Sequence, residues 1–518
     1  MKKIKPVVFL PPFLLLLAVI VLNFINEQAF TAVLTNAYTW VIQTTGWFVS
    51  LLAFLMLVIC VAVYCSPFGR VIIGGPDAKP LLTKWRLFAI ILCTDIAIGV
   101  LFWGPVEPMY YLSGPAESLG IEPNSPDAAM FAISKIYLHW TSIPYAIAAI
   151  VGLMFAFAYY NMKKPFSLGA PLSPLLGRRG EGTTGQVIDA VCLYTLVTGM
   201  AGSLGGAMML LGGGINHVLG IAGTPSDLLL ALIAVAIVGT FVVSAVTGLM
   251  RGIRILSNIN SVMLIALLFI IFVAGPTGFI IKFGMEGFGH FLSGFFENAL
   301  FTGAAHQDPW ATKWTMMHFA NWFAWAPIMG LFLGRIAYGY TVRTYLLFNV
   351  VLPAAFTGIW MAVFAGATIH MELYQGIGLV AVLEKSGLEG VLYTFMEHLP
   401  LARIMIPLLL ATAFLSFVTA ADSNTSAMSS ISSTGISPEN PEPSMGIKII
   451  WGGMVGLLAW VMITFARLDG IRMLSNLGGL PALFVCLAAA ICLIKVALNP
   501  KKYDTFKNGY DDKGRPIN

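Results

Sequence analysis

Charge is scarce in this chain. Only 10% of its 518 residues are Asp, Glu, Lys or Arg, too few to coat a soluble domain of that size, which excludes an ordinary water-soluble fold. Cysteine is scarce too. The six present (Cys60, Cys65, Cys93, Cys192, Cys486, Cys492) fall in or beside apolar stretches and lack metal-ligand spacing, which argues against a disulfide framework and a zinc site and leaves them as packing residues. HExxH, GxSxG and P-loop patterns are missing, so a membrane-embedded enzyme has no catalytic constellation to stand on and no cofactor is implied. No small-residue cleavage site follows Asn23; the basic start and apolar run of the N-terminus read as an uncleaved first helix.

What abounds is apolar sequence: 58% of residues are hydrophobic, and the mean hydropathy is +0.85. Twelve stretches are long enough to cross a bilayer, at about 18 residues or more with allowance for Gly and Pro. They lie near 7 to 25, 45 to 65, 86 to 112, 132 to 160, 188 to 220, 227 to 248, 256 to 281, 314 to 334, 344 to 368, 403 to 430, 447 to 466 and 478 to 497. The expected fold class is an all-α polytopic membrane protein of twelve transmembrane helices in the lipid bilayer. Every second loop is basic, as with Lys2, Lys3 and Lys5, then Arg70, Lys79, Lys84 and Arg86, then Lys163, Lys164, Arg178 and Arg179. The alternate loops carry Glu117, Glu122 and Asp127, or Glu372, Glu384, Glu389 and Glu397. Both termini are therefore expected in the cytoplasm. This bias accounts for the net charge of +5, so nucleic acid is not an expected partner.

The third span, ILCTDIAIGVLFWGPVEPMYYL, carries Asp95 and Glu107 and interrupts itself with Gly99, Gly104, Pro105 and Pro108. Charge and broken backbone at membrane depth are tolerated where protein or a water-lined cavity satisfies them, so the segment has the signature of a site. Asp95 lies near mid-membrane, about ten residues in at ~1.5 Å each. Glu107 lies closer to the outer interface, where capping or pairing is the plainer role. The eighth span opens WTMMHFANWFAW, with Trp314, His318, Trp322 and Trp325 spaced 4, 4 and 3 apart. On a helix they form one stripe of ring faces, which attract organic cations and suit quaternary ammonium best. A core stripe or an interfacial Trp belt has the same spacing. The fourth span adds His139, Trp140 and Tyr145, and the seventh Asn258 and Asn260. The Gly-rich fifth reads first as close helix packing. The tenth holds FVTAADSNTSAMSS, with Thr419 and Asp422, either an ion-binding or gating segment or a Ser/Thr-rich helix end.

Pro105 and Pro327 break spans that lie five apart, which predicts a five-plus-five repeat with both breaks at a shared centre; the odd repeat length makes it inverted. The expected division is 1–84, a tail and two scaffold helices; 85–281, the first repeat; 282–312, an interfacial amphipathic helix and loop; 313–498, the second repeat; and 499–518, a short polar cytoplasmic tail expected to be mobile.

FWGPVEP with YY, LHW, RGIRILSNIN, WTMMHFANWFAWAP followed by GRIAYGYTVR, and FVTAADS together resemble the betaine/choline/carnitine transporter family from Trp85 onward. LFWGPVEPMYYL and LGIEPNS are most similar to its carnitine/γ-butyrobetaine antiporters. The resemblance implies a LeuT-like fold with two extra N-terminal helices, a homotrimer in a bacterial-type inner membrane, and alternating-access transport of quaternary ammonium solutes. It puts the ammonium box on Tyr110, Trp140, Trp322 and Trp325. Tyr145 and Asn321 stand where the family usually has Trp, and Ala148 replaces a third aromatic; each lost face removes on the order of 0.5 to 2 kcal/mol of cation–π attraction. Asn321 offers hydrogen bonds to a carboxylate or hydroxyl instead.

Coupling residues follow from the same resemblance. The antiporters carry an Arg in the seventh span in place of a sodium ion; Asn260 takes that position here. The sodium-coupled members have GxGxG in the third span, where this chain reads Asp95, Ile96, Ala97, Ile98, Gly99. Proton-coupled choline members have an Asp at the Gly99 position, one turn beyond Asp95. Asp95, Ile96, Asn260 and Thr419 are thus expected to handle the coupling ion, Na+ or H+, although Ala420 replaces the usual Ser beside Thr419. The expected function is cation-coupled secondary transport of betaine-, carnitine- or choline-type solutes. A sodium-independent antiporter and a LeuT-fold amino-acid carrier are the alternatives, while a channel would need a continuous polar pore that the isolated polar clusters do not supply.

Overall fold

The computed structural model describes the backbone of residues 3–95, 99–221, 223–246, 249–437, 440, 442–465 and 467–517, and their side chains except 27, 245–246, 249–254, 467–472 and 474–476. Ile96 lies outside the described residues. The chain is helical throughout: α1 (Pro6–Ile25), α2 (Glu27–Cys65), α3 (Lys84–Asp95), α4 (Gly99–Ser113), α5 (Pro126–Trp140), α6 (Ser142–Ala156), α7 (Ser173–Leu176), α8 (Thr183–Leu219), α9 (Asp227–Val246), α10 (Leu249–Ala274), α11 (Thr277–Ser293), α12 (Phe295–Leu300), α13 (Met317–Arg335), α14 (Val342–Leu346), α15 (Leu352–Gln375), α16 (Leu379–Glu397), α17 (Ala402–Ile431), α18 (Met445–Phe465), α19 (Arg467–Leu498) and α20 (Pro500–Tyr503). Among the described residues β-pairing is limited to isolated bridges.

Among the described residues ten helices are long and apolar enough to cross a membrane, and α3 with α4, bent by 53° at their break, raises the number to at most eleven. Twelve were expected. The stretch outside that set is 314 to 334, which is helical through a π turn at Thr312–Met316 and then α13. Its Trp, His and Asn side chains lower its hydropathy, and α13 is buried along nearly its whole length, so protein contact replaces lipid contact as what its side chains must suit. Two boundaries also differ from expectation. The second span extends back to Glu27, giving a 39-residue helix. The seventh ends at Ala274, and the amphipathic helix starts at Thr277, because Pro276 has no N–H with which to continue the ladder.

Packing relates the two five-span sets. When α3/α4, α5/α6, α8, α9 and α10 are set against α13, α14/α15, α17, α18 and α19, contacts between the sets recur in pairs. α4 against α15 is mirrored by α13 against α6, α3 against α17 by α13 against α8, and α10 against α17 by α19 against α8. Within the sets, α3 on α10 corresponds to α13 on α19. This pseudo-twofold pattern is the five-plus-five arrangement, with α1 and α2 packed outside it. It places the broken α3/α4 and the aromatic α13 at its centre.

Glycine brings α13 against α6. A Cβ on Gly334 would lie 2.4 Å from the Gly152 carbonyl oxygen, and one on Gly330 2.8 Å from the Gly152 nitrogen, distances no side chain survives. The aromatic stripe of α13 is thereby pressed onto the Trp140–Tyr145 region.

The expected mobile tail is fastened instead. Asp504 accepts hydrogen bonds from Asn161 Nδ2 at 2.9 Å and from the Tyr510 hydroxyl at 2.7 Å. The Thr505 N–H donates to the Asn161 carbonyl at 3.0 Å. Asn161 also donates to the Ile72 carbonyl and accepts from the Gly74 N–H, so one side chain ties the tail to the loop after α2.

Candidate substrate site

The site begins with a missing hydrogen bond. Pro144 has no N–H to give the carbonyl four residues back, so α5 ends at Trp140 and the chain turns through Thr141, with φ −109 and ψ −127, into α6. Thr357 of α15 supplies the replacement, its hydroxyl donating to the Trp140 carbonyl at 2.6 Å. The same hydroxyl oxygen accepts from Tyr145 at 3.2 Å. The fourth span is therefore broken at the level where it carries its two functional aromatics.

Glu107 is the polar hub. It is only 3% exposed, and the Tyr111 hydroxyl and Trp140 Nε1 both donate to its carboxylate. His139 Nδ1 lies 3.1 Å from the same carboxylate, and His139 Nε2 lies 2.9 Å from the Thr315 hydroxyl. Tyr111, Trp140 and the His139 ring thus meet at one carboxylate, and the far side of the imidazole rests on Thr315. Of the plainer reading of Glu107, capping or pairing at the interface, the structure shows a pairing with His139, made at a buried position and shared with Trp140. The hub residues Tyr111, His139, Thr315 and Thr357 were not among the expected site residues. Tyr111 had a usable signal, since Glu107 and Tyr111 are four apart on one helix.

The stripe on the eighth span meets a different partner at each step. Trp314 packs on Tyr110 and Tyr111, both at 5.0 Å between ring centres. His318 packs on Trp140 at 5.0 Å and donates from Nε2 to the His139 carbonyl at 2.6 Å. Trp322 packs edge-on against Tyr145 at 5.4 Å and lies 6.5 Å from His318. Trp140, His318, Trp322 and Tyr145 thus form one continuous run of rings, with Gly99 of α4 leaving room for Trp140 at 3.0 Å. Tyr110 is half-buried beside Trp314, and Asn321 is half-buried on α13. Trp325 is half-buried with its Nε1 against Gly199 of α8, so its described neighbour is α8.

Above this run, Asp308 clasps the loop after α4 to the start of the eighth span. Its carboxylate accepts from the Ser118 N–H and hydroxyl and from the Trp310 N–H. Burial pushes the Asp308 carboxyl up, but these bonds and nearby His306 outweigh it and hold the group below the usual carboxylate range.

The sequence model of the family described as BCCT, betaine/carnitine/choline family transporter, matches residues 7–502. The chain belongs to that family. An ectoine/hydroxyectoine transporter of Virgibacillus pantothenticus is 28% identical over 92% of this chain and 93% of its own length. The glycine betaine transporter OpuD of Bacillus subtilis is 28% identical over 91% and 90%. A solved Na+-coupled sialic acid symporter in a substrate-bound outward-open state aligns over 86% of each chain at 14% identity and a TM-score of 0.48, too distant to bear on mechanism.

In this BCCT chain the expected coupling residues that are described lie on three helices, Asp95 on α3, Asn260 on α10 and Thr419 on α17. Cys93 and Thr94 face α10 and α17: Cys93 Sγ lies 3.4 Å from Asn260 Nδ2, and Thr94 donates to Ser423 at 3.3 Å. Asn260 also accepts from Ser416 at 3.1 Å. Asp95, one residue on, is buried, and among the described residues neither carboxylate oxygen has a hydrogen-bond partner. Thr419 donates to carbonyls of its own helix. Asp422 pairs with Lys448 of α18 and accepts from Ser244 at 2.6 Å. Ser426 and Ser429 donate to carbonyls four residues back on α17.

Proposed function

We propose that this chain is a secondary active transporter that moves quaternary or tertiary ammonium solutes of betaine, carnitine or choline type by alternating access. The observation that carries this reading is the run of rings Trp140, His318, Trp322 and Tyr145, set beside the break in the third span. Ring faces hold a trimethylammonium group that offers no hydrogen-bond donor, and Tyr110, Asn321 and Trp325 complete the proposed site. The two relatives' names, an ectoine/hydroxyectoine and a glycine betaine transporter, support a compact zwitterion as the solute. Residues 85–281 and 313–498 would be the two units whose relative motion alternates access.

The coupling ion is Na+ or H+, and Asp95 is its proposed handler. A carboxylate without partners among the described residues costs free energy that a bound cation or a proton removes. Asn260 and Thr419 are proposed to support the ion from α10 and α17. Asn260 is uncharged, which speaks against an antiporter whose fixed cation replaces sodium. The proposed setting is a homotrimer in an inner membrane with both termini cytoplasmic.

Uptake of radiolabelled glycine betaine, carnitine and choline into proteoliposomes, with and without imposed Na+ and H+ gradients, tests the reading. Gradient-dependent accumulation of at least one solute is expected. Trp322→Leu should raise its KM several-fold, in line with the ~0.5 to 2 kcal/mol of one cation–π contact. Exchange that needs only internal solute moves the chain to the antiporters. Absence of all three activities overturns the ammonium reading in favour of an amino-acid carrier.

A further inference from the structure

A second place built for an ammonium group lies outside the ring run, and the protein's own lysine fills it. Lys135 of α5 is 1% exposed. Its ammonium sits over three rings from three parts of the chain: Phe131 at 5.4 Å, Phe301 at 5.0 Å and Trp310 at 5.3 Å. Among the described ion pairs none includes Lys135; Glu297 of α12 acts on it only through space. Three faces around one buried cation make an aromatic cage, the arrangement that recognises organic ammonium ligands.

Its position gives the cage a role. Lys135 stands five residues before Trp140, about 7 Å along α5 toward the end that begins at Pro126. Trp310 joins the two places: it packs on Tyr111 at 5.2 Å and stacks with His139 at 6.4 Å, both of which contact Glu107. Phe301, in the loop after α12, is half-buried and forms the outer wall.

We infer that this cage is an outer station for zwitterionic ammonium solutes, where the solute's ammonium group replaces that of Lys135 and Lys135 turns to the solute's carboxylate. The inference rests on the ammonium-transport reading above. Charge decides which solutes suit it. The cage region holds the Lys135 ammonium with the Glu297 carboxylate acting on it through space; a betaine-type zwitterion adds one charge of each sign and leaves that balance unchanged. A choline-type cation adds a positive charge beside the lysine and brings no carboxylate to meet it, and like charges at close range are rejected. Lys135 is thus a specificity residue that reads the carboxylate.

Glycine betaine and choline share one head group and differ in the carboxylate, so full-length protein in proteoliposomes separates the effects. Wild type should favour glycine betaine in kcat/KM. Lys135→Met should lower the betaine-to-choline ratio about tenfold, mostly by admitting choline, while Lys135→Arg, which keeps charge and ring stacking, should hold the wild-type ratio. A purely structural lysine would lower both rates and leave the ratio alone, and that result overturns the inference. Should Lys135→Met not fold, Phe301→Leu at the half-buried wall decides: KM for glycine betaine rises several-fold if the station exists, and an unchanged KM removes it. A wild type that transports neither solute overturns the ammonium reading and this inference with it, whereas transport of both with an unchanged ratio in Lys135→Met removes the inference alone.

Discussion

Glu107 shows how one carboxylate organises the centre by being fully used. Tyr111, His139 and Trp140 converge on it, so Trp140 is held at a fixed angle to His318. Glu107→Gln keeps the shape but turns one oxygen into an NH2 group that faces donors. At least one buried donor then loses its acceptor, a cost of about 1–3 kcal/mol. The expected outcome is a lower melting temperature together with at least a ~10-fold drop in uptake, read on the same preparation by thermal unfolding and proteoliposome assay. Unchanged uptake with a lowered melting temperature would reduce Glu107 to a structural residue.

Helices in this protein meet at the site because they are interrupted or thinned there. Pro144 frees the Trp140 carbonyl for Thr357, and Gly152, Gly330 and Gly334 let α6 and α13 touch backbone to backbone. A methyl at Gly334 would sit 2.4 Å from the Gly152 oxygen and 2.7 Å from the Phe155 ring. Neither helix can yield without displacing Trp322 from Tyr145. Gly334→Ala should therefore destabilise by roughly 1–3 kcal/mol, the usual range for overpacking, and abolish most uptake. Gly206→Ala on α8, with nothing within 4 Å of the added carbon, should leave both near wild type; equal effects from the two substitutions would remove the close-crossing argument.

At the scale of the whole molecule, the chain ends are parts of the packed structure. The Lys5 N–H donates to the Ser432 carbonyl and the Thr434 N–H to the Lys3 carbonyl, each at 2.8 Å, while Asp504 holds the tail to Asn161 and Tyr510. Asp504→Ala leaves the donors of Asn161 and Tyr510 facing a void, which should cost about 1–3 kcal/mol. It should speed proteolysis in the loop 66–80 that Asn161 also ties down. Uptake KM should stay as in wild type, because the ring run shares no residue with this contact. A changed KM with normal proteolysis would instead tie the tail to the transport cycle.

Hydropathy, proline and glycine are local properties, and from them the sequence alone determined an all-helical membrane protein, an interrupted third span and the Trp314 to Trp325 stripe; the breaks expected at Pro105 and Pro327 are not there, because α4 and α13 run through those prolines and the third span is interrupted between Asp95 and Gly99 instead. Its motifs were enough to point to the family. The number of apolar spans was less legible, because α13 satisfies its side chains with protein contact and does not carry the hydropathy of a lipid-facing helix. Tertiary structure decided what each polar group meets. Glu107 reaches His139 and Trp140 across 32 and 33 residues, Thr357 reaches the Trp140 carbonyl across 217, and Asn161 holds Asp504 across 343. Such partners depend on where helices cross and at what distance, which periodicity within one helix does not encode. For the same reason Lys135 went unnoticed in the sequence: its three rings, at 131, 301 and 310, become a cage only when α5, the loop after α12 and the start of the eighth span are packed together.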